Sequence, residues 1–316
     1  MQFTYETKEN KKDGHKFIEI TGAEGKCDRC LVLPGMIDGL PAEVVASHAF
    51  SGRDEIITVS LPETVTTLKS FAFHNCKNLK KIALFDSIDD YYDGVLRQCN
   101  KLTDIDITVR RDWYEVLRNF LADSDKTLRF LIHGRNFDSC LTFPEYVYDF
   151  ADNTMARTIQ FSISGCGYAY RECVDRTKIG YREYDRLFEK AVIDGDRISE
   201  DIAMGRLLFP RELEDNYRAV YEKHVRKGIR GIISRYVENT ELAEKGEAIV
   251  SETEGFAAIK KLVCYVASDG GRLYTDEDMD FAIKLASDKK LTALCAMLMD
   301  NSAPSNDKSA GVEFSF

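Results

Sequence analysis

The sequence predicts an α+β chain: a short solenoid with a parallel sheet over residues 1–142, an all-α helical array over 143–304, and a mobile tail over 305–316. Three observations carry that expectation. A 23-residue period runs through the first half. The strand pattern stops near Glu145, and apolar residues then recur at helical spacing. The 316 residues are 44% hydrophobic, enough for a substantial core and for about two domains at roughly 150 residues each.

The period comes first, because a missed repeat misassigns the whole fold. Phe50, Phe73 and Leu96 form one column, and Ile56, Leu79 and Leu102 a second. Val59, Ile82, Ile105 and Leu128 form a third, and Leu61, Leu84, Ile107 and Phe130 a fourth. Cys76 and Cys99 fall in phase with them. Within one unit, Ile82 and Leu84 point to one face of a short strand and Lys81 and Ala83 to the other. Phe71 and Phe73 precede the strand in a turn-rich segment, where they can plug the interior of a coil. One unit is too small to bury its own apolar face, so stacking of neighbours must close the core.

The same phase aligns the outward residues. Thr58, Lys81, Asp104 and Thr127 make one column; Ser60, Ala83, Asp106 and Arg129 make the next. These eight residues are the candidate partner-binding surface. Lys81 is expected beside Asp104, and Asp106 beside Arg129, with each such pair contributing roughly 0.2–1 kcal/mol.

Helical spacing dominates 181–193, 197–209, 213–237, 255–267, 276–287 and 291–300. Val225, Ile229, Ile232, Ile233 and Tyr236 form one stripe, and Phe281, Ala282, Leu285 and Ala286 another. Thr275 before Asp276, Glu277 and Asp278 reads as a helix start. The domain junction is placed near 142–150.

With 43 basic against 53 acidic side chains, the net charge is -10. A chain this acidic is a poor nucleic-acid binder, because phosphate contacts need a concentrated positive field. No stretch approaches the roughly 18 apolar residues of a membrane span. Nine dispersed cysteines and no basic-then-apolar leader point to the cytoplasm; a signal removed from the chain would instead make it secreted or surface-bound.

Candidate chemistry is sparse. Cys27 and Cys30 form a CxxC that could hold one side of a zinc, but no second ligand pair lies nearby. His15, His48, His74, His133 and His224 sit in no local catalytic signature. Gly165 and Gly167 form a lone GxG, with Tyr170 where a third glycine would fall. Asp276–Asp280 lacks the spacing of a calcium loop. The basic run from Lys223 to Arg230 reads as the wet side of a helix. No catalytic residue, metal or cofactor is expected.

The stretches LPGMIDGLPAEVVASHAFSG (33–52) and LPETVTTLKSFAFHNCKNLKKIAL (61–84) resemble BspA-like leucine-rich repeats. Pro62, Val65, Leu68, Ala72, Phe73, Cys76, Leu79 and Ile82 fill the places of that family's unit over about residues 31–109. Arg53 stands in place of the first cysteine, and Val95-Leu96 in place of Ala-Phe. The resemblance implies a leucine-rich-repeat-like solenoid that contacts proteins, with no catalytic residues to carry over. Residues 279–301 and 188–210 resemble ankyrin-type helix pairs, and Gly165–Arg171 resembles a stretch that precedes helical extensions in BspA-like chains. The expected function is therefore a non-enzymatic scaffold for an unidentified protein partner. One alternative is an enzyme or metal-dependent regulator with a junction site around Trp113, His133, Arg135, Cys166 and Tyr168–Tyr170. Another is a bacterial surface adhesion module.

Overall fold

The computed structural model describes residues 1–153, 158–247 and 253–302. Two compact units are present, Met1–Tyr221 and Glu222–Phe316. The boundary expected near 142–150 falls inside the first unit, and the expected tail over 305–316 lies outside the described residues.

The first unit opens with an antiparallel hairpin of β1 (Gln2–Glu9) and β2 (Lys16–Glu24). The solenoid follows: β3 (Cys30–Val32), β4 (Met36–Ile37), β5 (Leu40–Val45), β6 (Thr58–Ser60), β7 (Thr67–Leu68), β8 (Lys81–Phe85), β9 (Asp90–Tyr91), β10 (Asp104–Thr108), α1 (Glu115–Asp123) and β11 (Leu128–His133). It has two sheets. One is ordered β3-β6-β8-β10-β11, all parallel, and is extended by the antiparallel β12 (Asp138–Phe143). The other is ordered β1-β2-β5-β7-β9, with β4 against β5. The period foretells the first sheet. The second is built partly from two-residue strands, too short to leave an alternation in the sequence.

Val59 pairs with Ile82 and Ile82 with Ile105, as the period requires, and all three are buried. The fourth copy departs from it. Ile105 pairs with Phe130 and Asp104 with Arg129, two residues beyond the expected Leu128 and Thr127. In this last coil α1 takes the place of a two-residue strand, and its longer path shifts the register by a full side-chain repeat. Apolar residues still face inward, because a shift of two preserves the face.

The turn side of the coils is also a ladder. Phe50 N–H donates to the Ala72 carbonyl at 2.8 Å, and Phe73 N–H to the Val95 carbonyl at 3.0 Å. The Phe50 and Phe73 rings stack with centroids 5.5 Å apart, and both are fully buried. Left-handed backbone recurs with the period: His48 (φ 59), Phe71 (φ 60) and Gly94 (φ 67) in one column, Gly52 (φ 71), Asn75 (φ 57) and Gln98 (φ 66) in another. His48, Phe71 and Asn75 tolerate it because each donates its N–H to the next coil, to the Ser70, Asp93 and Arg97 carbonyls. Gly94 has a second constraint, since a Cβ there would lie 2.5 Å from the Phe71 ring.

The expectation of an all-α chain from 143 is corrected: β13 (Val147–Asn153) and β14 (Thr158–Ser164) form a further hairpin. Helices then close the unit: α2 (Gly167–Arg171), α3 (Tyr181–Arg186), α4 (Phe188–Asp194), α5 (Asp196–Leu208) and the start of α6 (Asp215–Glu244). Asp194-Gly195-Asp196 makes the α4–α5 turn, as the sequence suggested. The end of α5 lies on the sheet, where Phe209 clusters with Leu131 and Cys140. Gly205 permits that approach, as a Cβ would sit 3.0 Å from the Cys140 carbonyl.

The second unit holds the rest of α6 with α7 (Gly255–Val263), α8 (Asp276–Asp288) and α9 (Thr292–Ser302). The Val225–Tyr236 stripe is buried along α6. Thr275 caps α8 reciprocally with Asp278. The basic run is more than a wet face: Arg226 pairs with Asp269 at 2.8 Å and Arg230 with Asp278 at 2.6 Å.

Candidate protein-contact surface

The outer face of β6, β8 and β10 carries Thr58 and Ser60, Lys81 and Ala83, Asp104 and Asp106, all half-buried. Arg129 enters the Thr58–Lys81–Asp104 row, and Leu131 takes the place next to Asp106. Charge pairing is therefore exchanged relative to expectation. Arg129 pairs with Asp104 at 2.6 Å, and Lys81 with Asp106 at 2.5 Å. Thr127 drops out of the row, because β11 begins only at Leu128. Leu131 is covered by Phe209, so the face stays accessible on β6, β8 and β10 and closes at β11.

The junction residues do not assemble as a reactive group. His133 Nδ1 meets Asp138 at 3.0 Å, and Arg135 donates to the Arg110 carbonyl at 2.8 Å. Cys166 N–H instead donates to Asp194 at 2.6 Å. Burial pushes the Cys166 thiol up to about 12, and does the same at Cys173, which leaves both as unreactive thiols at neutral pH. Trp113 is half-buried, Tyr168 exposed and Tyr170 fully buried, the last set edge-on against Tyr184 with centroids 4.7 Å apart.

The Gly165–Arg171 stretch is a structural clamp. A Cβ at Gly167 would lie 2.1 Å from the Pro144 carbonyl, so the backbone approach requires glycine. The buried Arg171 guanidinium donates to the Leu121, Ser124, Lys126, Gly167 and Pro144 carbonyls and lies over the Tyr146 ring. It thereby ties the end of α1 to the end of β12. Two cavities flank this region: about 640 Å³ beside Arg118, Cys173 and Tyr181, and about 410 Å³ beside Pro144, Tyr146 and Asp194.

A second buried polar group went unnoticed in the sequence. Arg206, fully buried on α5, meets Asp185 through two hydrogen bonds of 2.8 and 2.9 Å, and Tyr221 donates to the same carboxylate at 2.7 Å. The available signal was position: Arg206 falls on the apolar stripe of its helix, four residues after Ile202. Of the CxxC pair, Cys27 is buried and Cys30 exposed. Among the described residues no three His, Cys, Asp or Glu side chains gather as a metal site, and no helix is long and apolar enough to cross a membrane.

Residues 41–119 match the family described as BspA type leucine rich repeat region, in 6 copies. This segment is a BspA-type leucine-rich-repeat region. Similar solved structures include a leucine rich cell surface protein from Faecalibacterium prausnitzii, at 21% identity over 35% of this chain and 37% of that one, with a TM-score of 0.28. A T. pallidum leucine rich repeat protein is similar at 24% identity over 33% of this chain and 68% of its own, with a TM-score of 0.23. A leucine-rich repeat protein from Eubacterium ventriosum is similar at 20% identity over 30% and 26%, with a TM-score of 0.25. This chain thus spans 37% of the first of these proteins. No curated protein matches it. The helical region is present, and nothing identifies it as ankyrin-type.

Inside the BspA-type region the cysteines have a structural task. The Cys76 thiol donates to the Phe50 carbonyl at 3.1 Å, and the Cys99 thiol to the Phe73 carbonyl at 3.0 Å. Each thiol donates to a carbonyl of the preceding coil, and the Phe50 carbonyl accepts the Arg53 N–H at 3.4 Å as well. Arg53 substitutes for the first cysteine in the same sense, donating to the Ala23 and Gly25 carbonyls at 2.9 and 2.5 Å.

Proposed function

We propose that this chain is a non-enzymatic repeat protein that binds another protein through the outer face of β6, β8 and β10. One observation supports the reading: Thr58, Lys81 and Asp104 form a row, and Ser60, Ala83 and Asp106 the next, on parallel strands backed by a buried apolar row. Strands in such a sheet lie about 4.8 Å apart, so the face offers side chains at fixed spacing. A rigid face loses little conformational freedom on contact. The Lys81–Asp106 and Arg129–Asp104 pairs leave it polar with its charges compensated, which suits a partner read by shape and hydrogen bonds. Nine free thiols support a reducing compartment, and cell fractionation tests that placement.

The decisive experiment is partner capture with the full chain and with Ser60→Tyr and Ala83→Tyr. The bulky rings should abolish capture while leaving the melting temperature unchanged. Undiminished capture by both variants would overturn the assignment of this face.

A further inference from the structure

We propose a second contact site: the notch along the N-terminal ends of β3, β6, β8 and β10 binds an extended acidic segment of a partner protein. The inference rests on the protein-binding reading for its class of partner, but the site is separate from the sheet face. The notch is a cavity of about 340 Å³ lined by four cations, Lys26, Arg29, Lys80 and Lys101, together with Asp54, Glu55, Ile57 and Asn78.

The carboxylates in it are already engaged. Glu55 accepts the Cys27 N–H at 2.9 Å and lies 3.6 Å from Arg53; the Cys27 hydrogen bond holds its pKa below the usual range. Asp54 accepts the Lys77 N–H at 3.2 Å and lies 3.6 Å from the Lys77 ammonium. Of the four cations, Lys26 acts on Glu55 at a distance and helps to lower its pKa, and none is held in a close ion pair: among the described residues, no carboxylate comes within ion-pair distance of Lys26, Arg29, Lys80 or Lys101, and Lys101 donates only to the neutral Asn78 amide, at 2.8 Å. In a chain of net charge -10, four cations against two carboxylates around one concavity leave a local excess of positive charge.

Spacing selects the occupant. Ile57 N–H donates to the Arg29 carbonyl, Lys80 N–H to the Ile57 carbonyl, and Thr103 N–H to the Lys80 carbonyl. Arg29, Ile57 and Lys80 therefore stack on consecutive coils, and Lys101 belongs to the next. At about 4.8 Å per coil the cations extend over roughly 14 Å. An extended chain advances about 3.3 Å per residue, so four or five residues span the notch, whereas one small anion does not. Ile57 offers an apolar floor between the charges.

The test is fluorescence anisotropy of a labelled hexaglutamate peptide with the full chain at low salt. The notch variant is Lys26→Ala/Arg29→Ala/Lys80→Ala. The control variant, Lys16→Ala/Lys223→Ala/Lys284→Ala, removes the same charge elsewhere. Affinity should fall at least about tenfold in the notch variant and less than about twofold in the control. Inorganic phosphate should compete only at far higher concentration than unlabelled peptide. Absent binding, equal weakening by both variants, or phosphate competing as well as peptide would each overturn the proposal. Ser60 and Ala83 lie outside the notch, so the outcome of partner capture at the sheet face stands independently of this result.

Discussion

The coils from β3 to β10 and the region that closes them, from α1 to the start of α6, are held by different means. In the coils one device recurs: a buried aromatic plug, a ladder between turns, and a donor to the preceding coil at Arg53, Cys76 and Cys99. In the closing region nothing recurs. Arg171 gathers backbone carbonyls from several segments, and Arg206 is neutralised by Asp185 with both side chains fully buried. Repetition spreads stability over similar contacts. A unique buried charge concentrates it, because removing one partner strands the other in an apolar interior. The closing region should therefore be the more fragile to single substitutions.

The largest effect is expected there. Asp185→Ala leaves the Arg206 guanidinium buried and unpaired, and should destabilise by roughly 3–5 kcal/mol. Urea denaturation of the full chain measures it. Replacing both partners, as in Asp185→Leu/Arg206→Met, should recover most of that loss, since well-packed apolar residues often substitute for a buried pair. A single substitution that costs less than the coil substitutions below would erase the contrast between the regions.

Next comes the coil plug. Phe73→Ala should cost about 3 kcal/mol, the lower part of the range for buried aromatics, because Phe50 stacks on the same ring and can lean into the space. Lys81→Ala, on the outer face of the same coil, should cost only about 0.2–1 kcal/mol through its pair with Asp106. Equal losses at Phe73 and Lys81 would mean that inward and outward positions do not differ as the register requires.

The legibility of the sequence follows the same division. Val59, Ile82 and Ile105 could be placed on adjoining strands from spacing alone, because a repeating unit shows its register in several copies at once. The final copy could not: α1 inserts two residues, and Leu128 and Phe130 have similar apolar side chains, so the shift left no trace in the columns. That single shift moved Arg129 from Asp106 to Asp104 and removed Thr127 from the candidate surface. The hairpin β13–β14 lies outside the 23-residue period; its seven-residue strands leave only a local alternation, Ile159, Phe161 and Ile163 in β14, which has no second copy to set it apart from the helical spacing that follows. Arg171 and Arg206 were unreadable for a related reason. A buried charge looks like a surface charge until its partners, distant in sequence, are brought to it. The notch was equally hidden, since Lys26, Arg29, Lys80 and Lys101 converge only when the coils stack.

A smaller effect separates the first coil from its neighbours. Arg53→Ala removes donors to the Ala23 and Gly25 carbonyls while leaving the aromatic plug intact. The expected loss is about 1–2 kcal/mol, that of hydrogen bonds made by a partly exposed charged group. Hydrogen exchange should rise most in β2 and the segment leading to β3, and little at β10. Uniform exchange across the solenoid would mean that the coils do not share stability with their immediate neighbours alone.

The smallest effect lies at the edge of the solenoid, where charges are exposed. His15 meets Glu43 at 3.0 Å and Asp13 at 2.8 Å. Hydrogen bonds to Glu43, and then to Asp13, raise its pKa above the ordinary value of 6.5. A base whose folded pKa is raised stabilises the fold fully below its unfolded pKa, and that contribution disappears as pH rises through the folded value. Stability should therefore decline slightly from about pH 6.5 upward, and added salt should flatten the decline by screening. Titration of the His15 ring signals by NMR measures the folded pKa directly. Glu43→Gln should bring it down toward the ordinary value and weaken the pH dependence with it. An unchanged midpoint in that variant would show that Glu43 does not hold the ring, against its place as the largest cause of the raised pKa.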